Sequence, residues 1–216
     1  MIEDLAVLTN EKTHVTRNKY FCDNIDTKSI SESLNKHFKV GLYVRKSNIE
    51  RKSHKISLKK IIISKGIISY ILNIIKTIDL YNKYLIISLS PYTFIICLLL
   101  FIFRKKVFLY LRSNGYEEYR LHSKYFGPII YHLMFTIVSW KCELISCRKH
   151  ILRGKKGFVV SPSQLNKKWF TKRKTPDLKK LKLLYVGRIR IEKGVHSLLK
   201  ILYKLKINYS ISIINS

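Results

Sequence analysis

The chain has 216 residues, enough to bury a full core and to hold one large domain or one and a fraction. Its 47% hydrophobic content is that of a globular protein and excludes disorder as the main state. Charge is the unusual property: 42 Lys and Arg against 13 Asp and Glu give a formal +29, a field that attracts phosphates on nucleic acid, anionic lipid or small nucleotides. The same excess fits compositional drift from an AT-rich coding sequence, since Ile, Lys and Asn abound throughout. Both readings stand at this stage.

Cys22, Cys97, Cys142 and Cys147 form no CxxC pair and no metal-type spacing with histidine, which fits a reduced, cytosolic compartment. Met1-Ile-Glu-Asp-Leu5 is acidic and lacks a signal-peptide pattern. Leu5–Thr9 predicts a first strand, and residues 10–37 are polar and mixed, with Asn10, Asn24 and Asp26 as turn or cap candidates. Ile30, Leu34 and Phe38, spaced by four, suggest a helix over Ser29–Phe38; Val40–Val44 reads as a second strand. Arg45–Lys60 reads as a basic loop or the start of a helix, and Ile61–Ile78 as a helix with a break at Gly66.

Tyr84–Ser90 is strand-like and closed by Pro91, Tyr92–Phe103 predicts a helix, and Val107–Leu111 the next strand. Leu85–Phe103 carries no charge over 19 residues and is long enough to span a bilayer. Ser88, Ser90 and Pro91 punctuate it where a strand–helix turn belongs, which favours one buried βαβ unit over a transmembrane helix. The polar loop from Arg112 to Tyr119 directly follows a buried strand, where open α/β sheets bind ligands, so Arg112, Ser113, Glu117 and Glu118 are acceptor-side site candidates. An ordinary turn with acids at a helix start reads equally well.

Gly127–Trp140 predicts an apolar helix, Cys142–Ser146 a strand, Arg148–Lys156 a basic helix or loop, and Phe158–Val160 a last short strand. Lys167–Lys174 interleaves aromatics with charge, as nucleic-acid surfaces do, although a solvated linker accounts for it better. Pro176 marks a linker over 171–180 between a domain at 1–170 and a second at 181–216. Alternating strands and helices argue an α/β fold with a mainly parallel sheet.

The most informative stretch is Leu183–Val195. Leu183–Val186 predicts a buried strand, Gly187 ends it, and Val195, Leu198, Leu199 and Leu202 mark one face of a helix. Between them lie Arg188 and Lys193, two cations beside a helix N-terminus, an arrangement suited to an anion. Tyr209–Ile214 predicts a further strand.

Gly187-Arg188, three variable residues and Glu192-Lys193-Gly194, between a strand and a helix, resemble the opening of the second domain of the group-one retaining glycosyltransferases, which have the GT-B fold. The resemblance implies a Rossmann-like, acceptor-side first domain and the first βαβ unit of an incomplete second, nucleotide-sugar-binding domain. It also implies that Gly187, Arg188, Lys193 and Gly194 hold the diphosphate of a nucleotide-sugar donor. The acceptor would be a saccharide or a lipid-linked saccharide of cell-envelope polysaccharide synthesis. The chemistry would be retaining and metal-independent, with no metal site and no cofactor. Where relatives often carry a histidine near the reacting sugar, this chain has Arg112-Ser113-Asn114; His14 and His122 are the nearest histidine candidates, each with a structural or solvated reading beside it. The family's second domain runs well beyond this length and carries a later acidic motif whose two glutamates bind the donor's ribose and sugar. The expectation is therefore a truncated or split transferase, with the remaining C-terminal part as a candidate partner chain. The protein would be cytoplasmic and peripheral on the inner face of the cell membrane, with an anionic membrane surface as a partner and nucleic acid not expected. The alternatives are an inactive truncated transferase, a non-enzymatic basic protein that binds nucleic acid or membrane, and a small membrane protein anchored by 85–103.

Overall fold

Apolar residues of the first domain's strands divide by parity. Ala6 and Leu8, Tyr84 and Ile86, and Val107 and Leu109 join one buried cluster; their neighbours Leu5 and Val7, Leu85 and Ile87, and Tyr110 join a second. A strand sends successive side chains to opposite faces, so this division describes a sheet covered on both sides. A computed structural model describes residues 4–50, 54–161, 171, 181–187, 189, 194–204 and 209–214. The chain divides into two units, Met1–Pro162 and Ser163–Ser216.

In the first unit the described elements are β1 (Asp4–Thr16), β2 (Lys19–Cys22), α1 (Ile25–Leu34), β3 (Lys39–Lys46), β4 (His54–Ile56), β5 (Lys60–Ser64), α2 (Ile67–Thr77), β6 (Lys83–Ile87), α3 (Pro91–Ile102), β7 (Lys106–Leu111), α4 (Gly115–His122), α5 (Phe126–Val138), β8 (Glu143–Ser146) and β9 (Gly157–Val159). Parallel pairings run in the order β5-β3-β1-β6-β7-β8-β9. That is the strand order of a doubly wound, Rossmann-like sheet, with its reversal between β1 and β6. Helices α2, α3 and α5 lie on one face, where Tyr70, Ile74, Ile96, Leu100, Tyr131 and Phe135 join the cluster of Ala6 and Leu8. Helix α1 lies on the other, with Ile30 and Leu34 against the cluster of Leu5, Val7 and Leu42. Among the described residues β5 and β9 are the two edges of the parallel array.

Local chemistry sets the boundaries. Asn24 caps α1, its side chain accepting from the Asp26 amide at 3.0 Å. Ser90 and Thr93 form a reciprocal capping box at the head of α3, with Pro91 in the first turn. Helix α3 has 12 residues, or about 18 Å at 1.5 Å per residue, well short of a bilayer core of about 30 Å. The uncharged run 85–103 is thus the end of one strand, a turn and a short helix. No helix among the described residues is long and apolar enough to cross a membrane.

Four segments differ from the sequence expectation. The first helix runs over Ile25–Leu34 rather than Ser29–Phe38, because Asn24 caps it four residues earlier. Strand β1 continues to Thr16 and turns back into β2, an antiparallel hairpin that pairs Thr16 with Lys19. Its two-residue loop, Arg17-Asn18, has both φ values positive, at 46° and 60°, as a type I′ turn requires. Without glycine in the loop, the turn carries no strong sequence signal. Arg45–Lys60 contains the short strand β4, paired with β2. Ile61–Ile63 is not helical but part of edge strand β5, with Ile62 packed against one cluster and Ile61 and Ile63 against the other. A short β-branched run suits a strand, and periodicity alone does not separate it from a buried helix. Helix α2 begins only after Gly66, its N-cap.

The register of β1 against β3 shifts between Leu8 and Lys12. There the fully buried Tyr70 hydroxyl of α2 accepts from the Thr9 amide at 3.2 Å and donates toward the carbonyls of Tyr43 at 3.0 Å and Thr9 at 3.2 Å. Tyr70, Tyr43, Tyr81, Tyr84 and Tyr92 form a chain of edge-on and tilted ring contacts along this seam. The Tyr43 hydroxyl meets Thr77 Oγ1, and that of Tyr84 donates to the Ile78 carbonyl.

In the second unit β10 (Leu181–Val186) and β11 (Tyr209–Ile214) pair in parallel, joined through α6 (Val195–Lys204). This is the expected βαβ unit, but β10 is not the buried strand expected: Leu184 and Val186 are 65% and 60% exposed. Side chains alternate between the two faces of a strand, and the face these two share is left uncovered among the described residues. Of the helix, Val195 and Leu202 are buried. Most of the linker at 171–180 lies outside the described residues.

Tyr70→Phe keeps the ring and removes the hydroxyl, leaving the Thr9 amide buried without that acceptor. The expected cost is about 1–3 kcal/mol, a fall in Tm of roughly 2–4 °C per kcal/mol for a domain of this size, read by thermal unfolding. Burial also pushes the Tyr43 hydroxyl up to about 12 and raises those of Tyr70, Tyr84 and Tyr131 well above the ordinary range. The unfolded chain releases these protons near pH 10, where the folded chain still holds them. The stability they contribute is therefore complete below about pH 10 and is lost as pH rises toward about 12. An absorbance titration should show a set of tyrosinates that appears only together with unfolding; all 14 tyrosines titrating near 10 in the folded state would contradict the packing.

Candidate functional site

The connection leaving β1 runs through β2 and α1 toward β3, while that leaving β6 runs through α3 toward β7. These paths diverge to opposite sides of the sheet and leave a crevice beyond the carboxyl ends of β1 and β6, the position where doubly wound sheets bind ligands. A cleft of about 560 Å³ lies there. Thr9, Asn10 and Glu11 line it from β1, Asn24 from the head of α1, Ser88–Pro91 from the β6–α3 turn, Arg112 from the end of β7, and Glu118, Tyr119 and His122 from α4. Gly127 and Ile130 of α5 close the far side. At Gly127 a Cβ would stand 2.0 Å from the Tyr119 carbonyl oxygen, so glycine lets α4 and α5 meet this closely at the cleft wall.

A polar network fixes the walls. Asn24 donates to Glu11 Oε2 at 3.3 Å while capping α1. Asp26, in the first turn of the same helix, pairs with Arg112 Nη1 at 3.1 Å, which ties α1 to the end of β7. Arg45 Nη1 donates to Asn10 Oδ1 at 2.9 Å and its guanidinium lies 4.6 Å from the Tyr92 ring centre. Cys22 Sγ donates to the Asn24 carbonyl at 3.3 Å; burial, with Glu11 adding, pushes this thiol up to about 11, so it stays protonated at neutral pH. Burial likewise raises the Tyr119 hydroxyl.

Ser88 is the strained point of the site. Its φ of 65° lies in the left-handed region, which costs a non-glycine residue about 1–2 kcal/mol. The conformation is held from both sides: its amide donates to the Tyr110 carbonyl at 2.9 Å and its carbonyl accepts from Thr93 Oγ1 at 2.9 Å. Its own hydroxyl oxygen is buried and has no hydrogen-bond partner among the described residues. An unpaired hydroxyl at the strand-order reversal, beside the N-terminus of α3, suits a ligand's donor or acceptor.

The charges on the cleft wall nearly balance. Glu11 and Glu118 face Arg112, already paired with Asp26, and His122. With Asn10, Asn24, Ser88 and Ser90 they line the cleft with both donors and acceptors. That suits an uncharged, hydroxyl-rich ligand better than a phosphate, although the chain as a whole carries +29. Among the described residues no group of three His, Cys, Asp or Glu is placed to hold a metal ion, and all four cysteines are free.

Of the sequence candidates, Arg112 and Glu118 line the cleft. Ser113 is half-buried nearby, and Glu117 is exposed with its carboxylate held by Asn114 Nδ2 at 2.7 Å; neither is among the lining residues. His122 lines the cleft, whereas His14 lies in the hairpin half of β1 with its Nδ1 buried and without a hydrogen-bond partner among the described residues. Sequence reasoning missed Glu11, Ser88 and Ser90 as site residues and took Asn10 and Asn24 only as turns or caps. The available signal was polar residues directly after the apolar runs of β1 and β6.

In the second unit, the Gly187 amide donates to the Ile214 carbonyl at 3.0 Å, carrying the β10–β11 pairing to the start of the loop. Gly194 has φ 73° and its carbonyl accepts from the Leu198 amide at 2.9 Å, so the helix begins immediately after it. Arg188, Glu192 and Lys193 lie outside the described residues.

Asn24→Ala removes both the cap and the tether to Glu11, with an expected loss of about 1 kcal/mol, and Asn24→Ser should recover most of it because serine caps as well. Thermal unfolding of the pair separates the cap from the tether; equal stability of Asn24→Ala and the parent would show that neither matters.

No protein-family model matches the chain, and no curated protein sequence matches it.

Proposed function

We propose that the chain is a glycosyltransferase, or part of one, of the GT-B type. It moves a sugar from a nucleotide-sugar donor to a saccharide or lipid-linked acceptor of cell-envelope polysaccharide synthesis, at the cytoplasmic face of the membrane. The observation that carries the reading is the placing of Gly187-Arg188…Glu192-Lys193-Gly194 between the strand and the helix of a parallel βαβ unit, with Gly194 in a left-handed conformation at the helix start. Such a turn brings backbone amides and the helix dipole to an anion. Arg188 and Lys193 would then neutralise the charge that collects on the departing nucleoside diphosphate as the glycosidic bond breaks. The first unit supports the acceptor side of the same reaction: its cleft lies at the strand-order reversal, is polar and nearly charge-balanced, and suits a hydroxyl-rich acceptor. Transfer would be retaining and metal-independent.

The test is calorimetric titration of the chain with a panel of nucleoside diphosphate sugars, in the presence of a chelator. Binding of at least one donor is expected, weakened about tenfold or more when Arg188 and Lys193 are both changed to Ala, since each charged hydrogen bond contributes about 1.5–3 kcal/mol. Binding unchanged in the double variant, or none across the panel, overturns the assignment.

A further inference from the structure

Helices α3 and α5 contain no Asp, Glu, Lys or Arg. The inner side of α5 is accounted for by the core, through Gly127, Tyr131, Met134, Phe135 and Val138. Its outer side should be polar if it faced water, since a surface helix normally carries charge opposite its apolar stripe. It is not. Phe126 (72% exposed), Ile129 (57%), Ile130 (48%), Leu133 (58%) and Ile137 (46%) recur at helical spacing, and Trp140 (87%) continues the row just past the helix end. A shallow groove of about 380 Å³ joins this row to α3 through Leu98, Phe101 and Ile102. Single exposed apolar side chains need no explanation, but a continuous ridge of them marks an interaction surface.

We infer that this ridge is a docking face for an anionic lipid bilayer, with α5 lying in the plane of the interface. Cations frame the apolar strip. Lys124 precedes α5 with its Nζ 5.5 Å from the Tyr125 ring, Lys141 follows it 5.7 Å from the Phe101 ring, and Arg104 is exposed at the end of α3. The acids Asp79 and Glu143 near the basic run 104–106 are each paired, with Lys105 and Lys106. Tyr125 and Trp140, apolar bodies with a polar edge, stand at the two ends of the strip, where such rings suit the headgroup level. A second copy of the chain is the poorer occupant: two surfaces each framed by lysines, on chains of +29, would bring like charges together. An apolar strip with a cationic frame is instead complementary to acyl chains under acidic headgroups. The inference deepens the membrane-face placement proposed above by naming the surface, but it does not depend on the transferase chemistry, and donor binding is not its readout.

The test is sedimentation of the full chain with vesicles of phosphatidylcholine, with and without about one-third phosphatidylglycerol. Binding to the anionic vesicles is expected, with a blue shift of Trp140 emission in a Trp169→Phe background that leaves it as the only tryptophan. Ile129→Glu with Leu133→Glu, at two exposed positions, should lower the partition about tenfold or more; Lys124→Glu with Lys141→Glu should lower it less and flatten its salt dependence. Circular dichroism checks the fold, and the milder Ile129→Ser with Leu133→Ser replaces the first pair if that pair fails to fold. Absence of binding, or binding equal in the apolar double variant, overturns the inference. So does a lipid-free dimer that this variant dissociates, which would make the ridge an interface between copies.

Discussion

The central strand of the sheet cannot stay regular along its whole length, and the Tyr70 hydroxyl makes that tolerable. The first half of β1 is paired on both sides in parallel, whereas its second half leaves to form a hairpin. At the change, ladder groups lose regular partners inside the protein, where each unpaired group costs about 1–3 kcal/mol. A side chain from α2 supplies one oxygen that serves an amide and two carbonyls at that place. Burial of the phenol is favourable only because the hydroxyl is so engaged. The aromatic seam around it adds ring contacts between Tyr70 of α2 and Tyr43 of β3, and from Tyr81 to Tyr43 and Tyr84, to the aliphatic packing of Ile74.

The cleft depends on this arrangement. Asn10 and Glu11 reach its wall because β1 departs from its neighbours just before them, and the links to Arg45 and Asn24 hold them there. Ser88 is pushed into a disfavoured conformation on the facing loop and kept by two backbone-directed hydrogen bonds. The site thus combines rigid walls with a strained residue and an unpaired hydroxyl. Its near-neutral lining also shows that the basic excess of the chain is not concentrated at this cleft.

The parts of the fold that were legible in the sequence are those where one physical signal dominates. Val40–Val44, Tyr84–Ile87 and Val107–Leu111 are short apolar runs closed by polar residues, and each is a strand. Ser90-Pro91 announced α3 through capping chemistry, and the pattern Val195, Leu198, Leu199, Leu202 announced the last helix. Ile61–Ile63 was ambiguous because an isolated β-branched run fits either element until its partners are known. The hairpin was hidden because Arg17-Asn18 adopts a turn usually signalled by glycine. Among site residues, Arg112 and Glu118 were reachable from their place after a buried strand. Glu11 and Ser88 also follow apolar runs, but which runs end at the strand-order reversal is set by long-range pairing that no local window contains.

The edges of the sheet give part of the basic composition a physical role. Strand β5 opens at Lys60 and is bracketed by Lys59 and Lys65, and β9 follows directly on Lys155-Lys156. Both strands are β-branched or aromatic and each pairs on one side only among the described residues. An open row of backbone amides and carbonyls on such a strand is a template for another molecule's strand, and lysine beside it is a common deterrent. Charge here acts between molecules: it keeps two copies of an apolar edge from approaching within pairing distance. That protection is electrostatic and screened over about 10 Å at 0.1 M salt, so colloidal stability should decline as ionic strength rises even where the fold itself is unaffected.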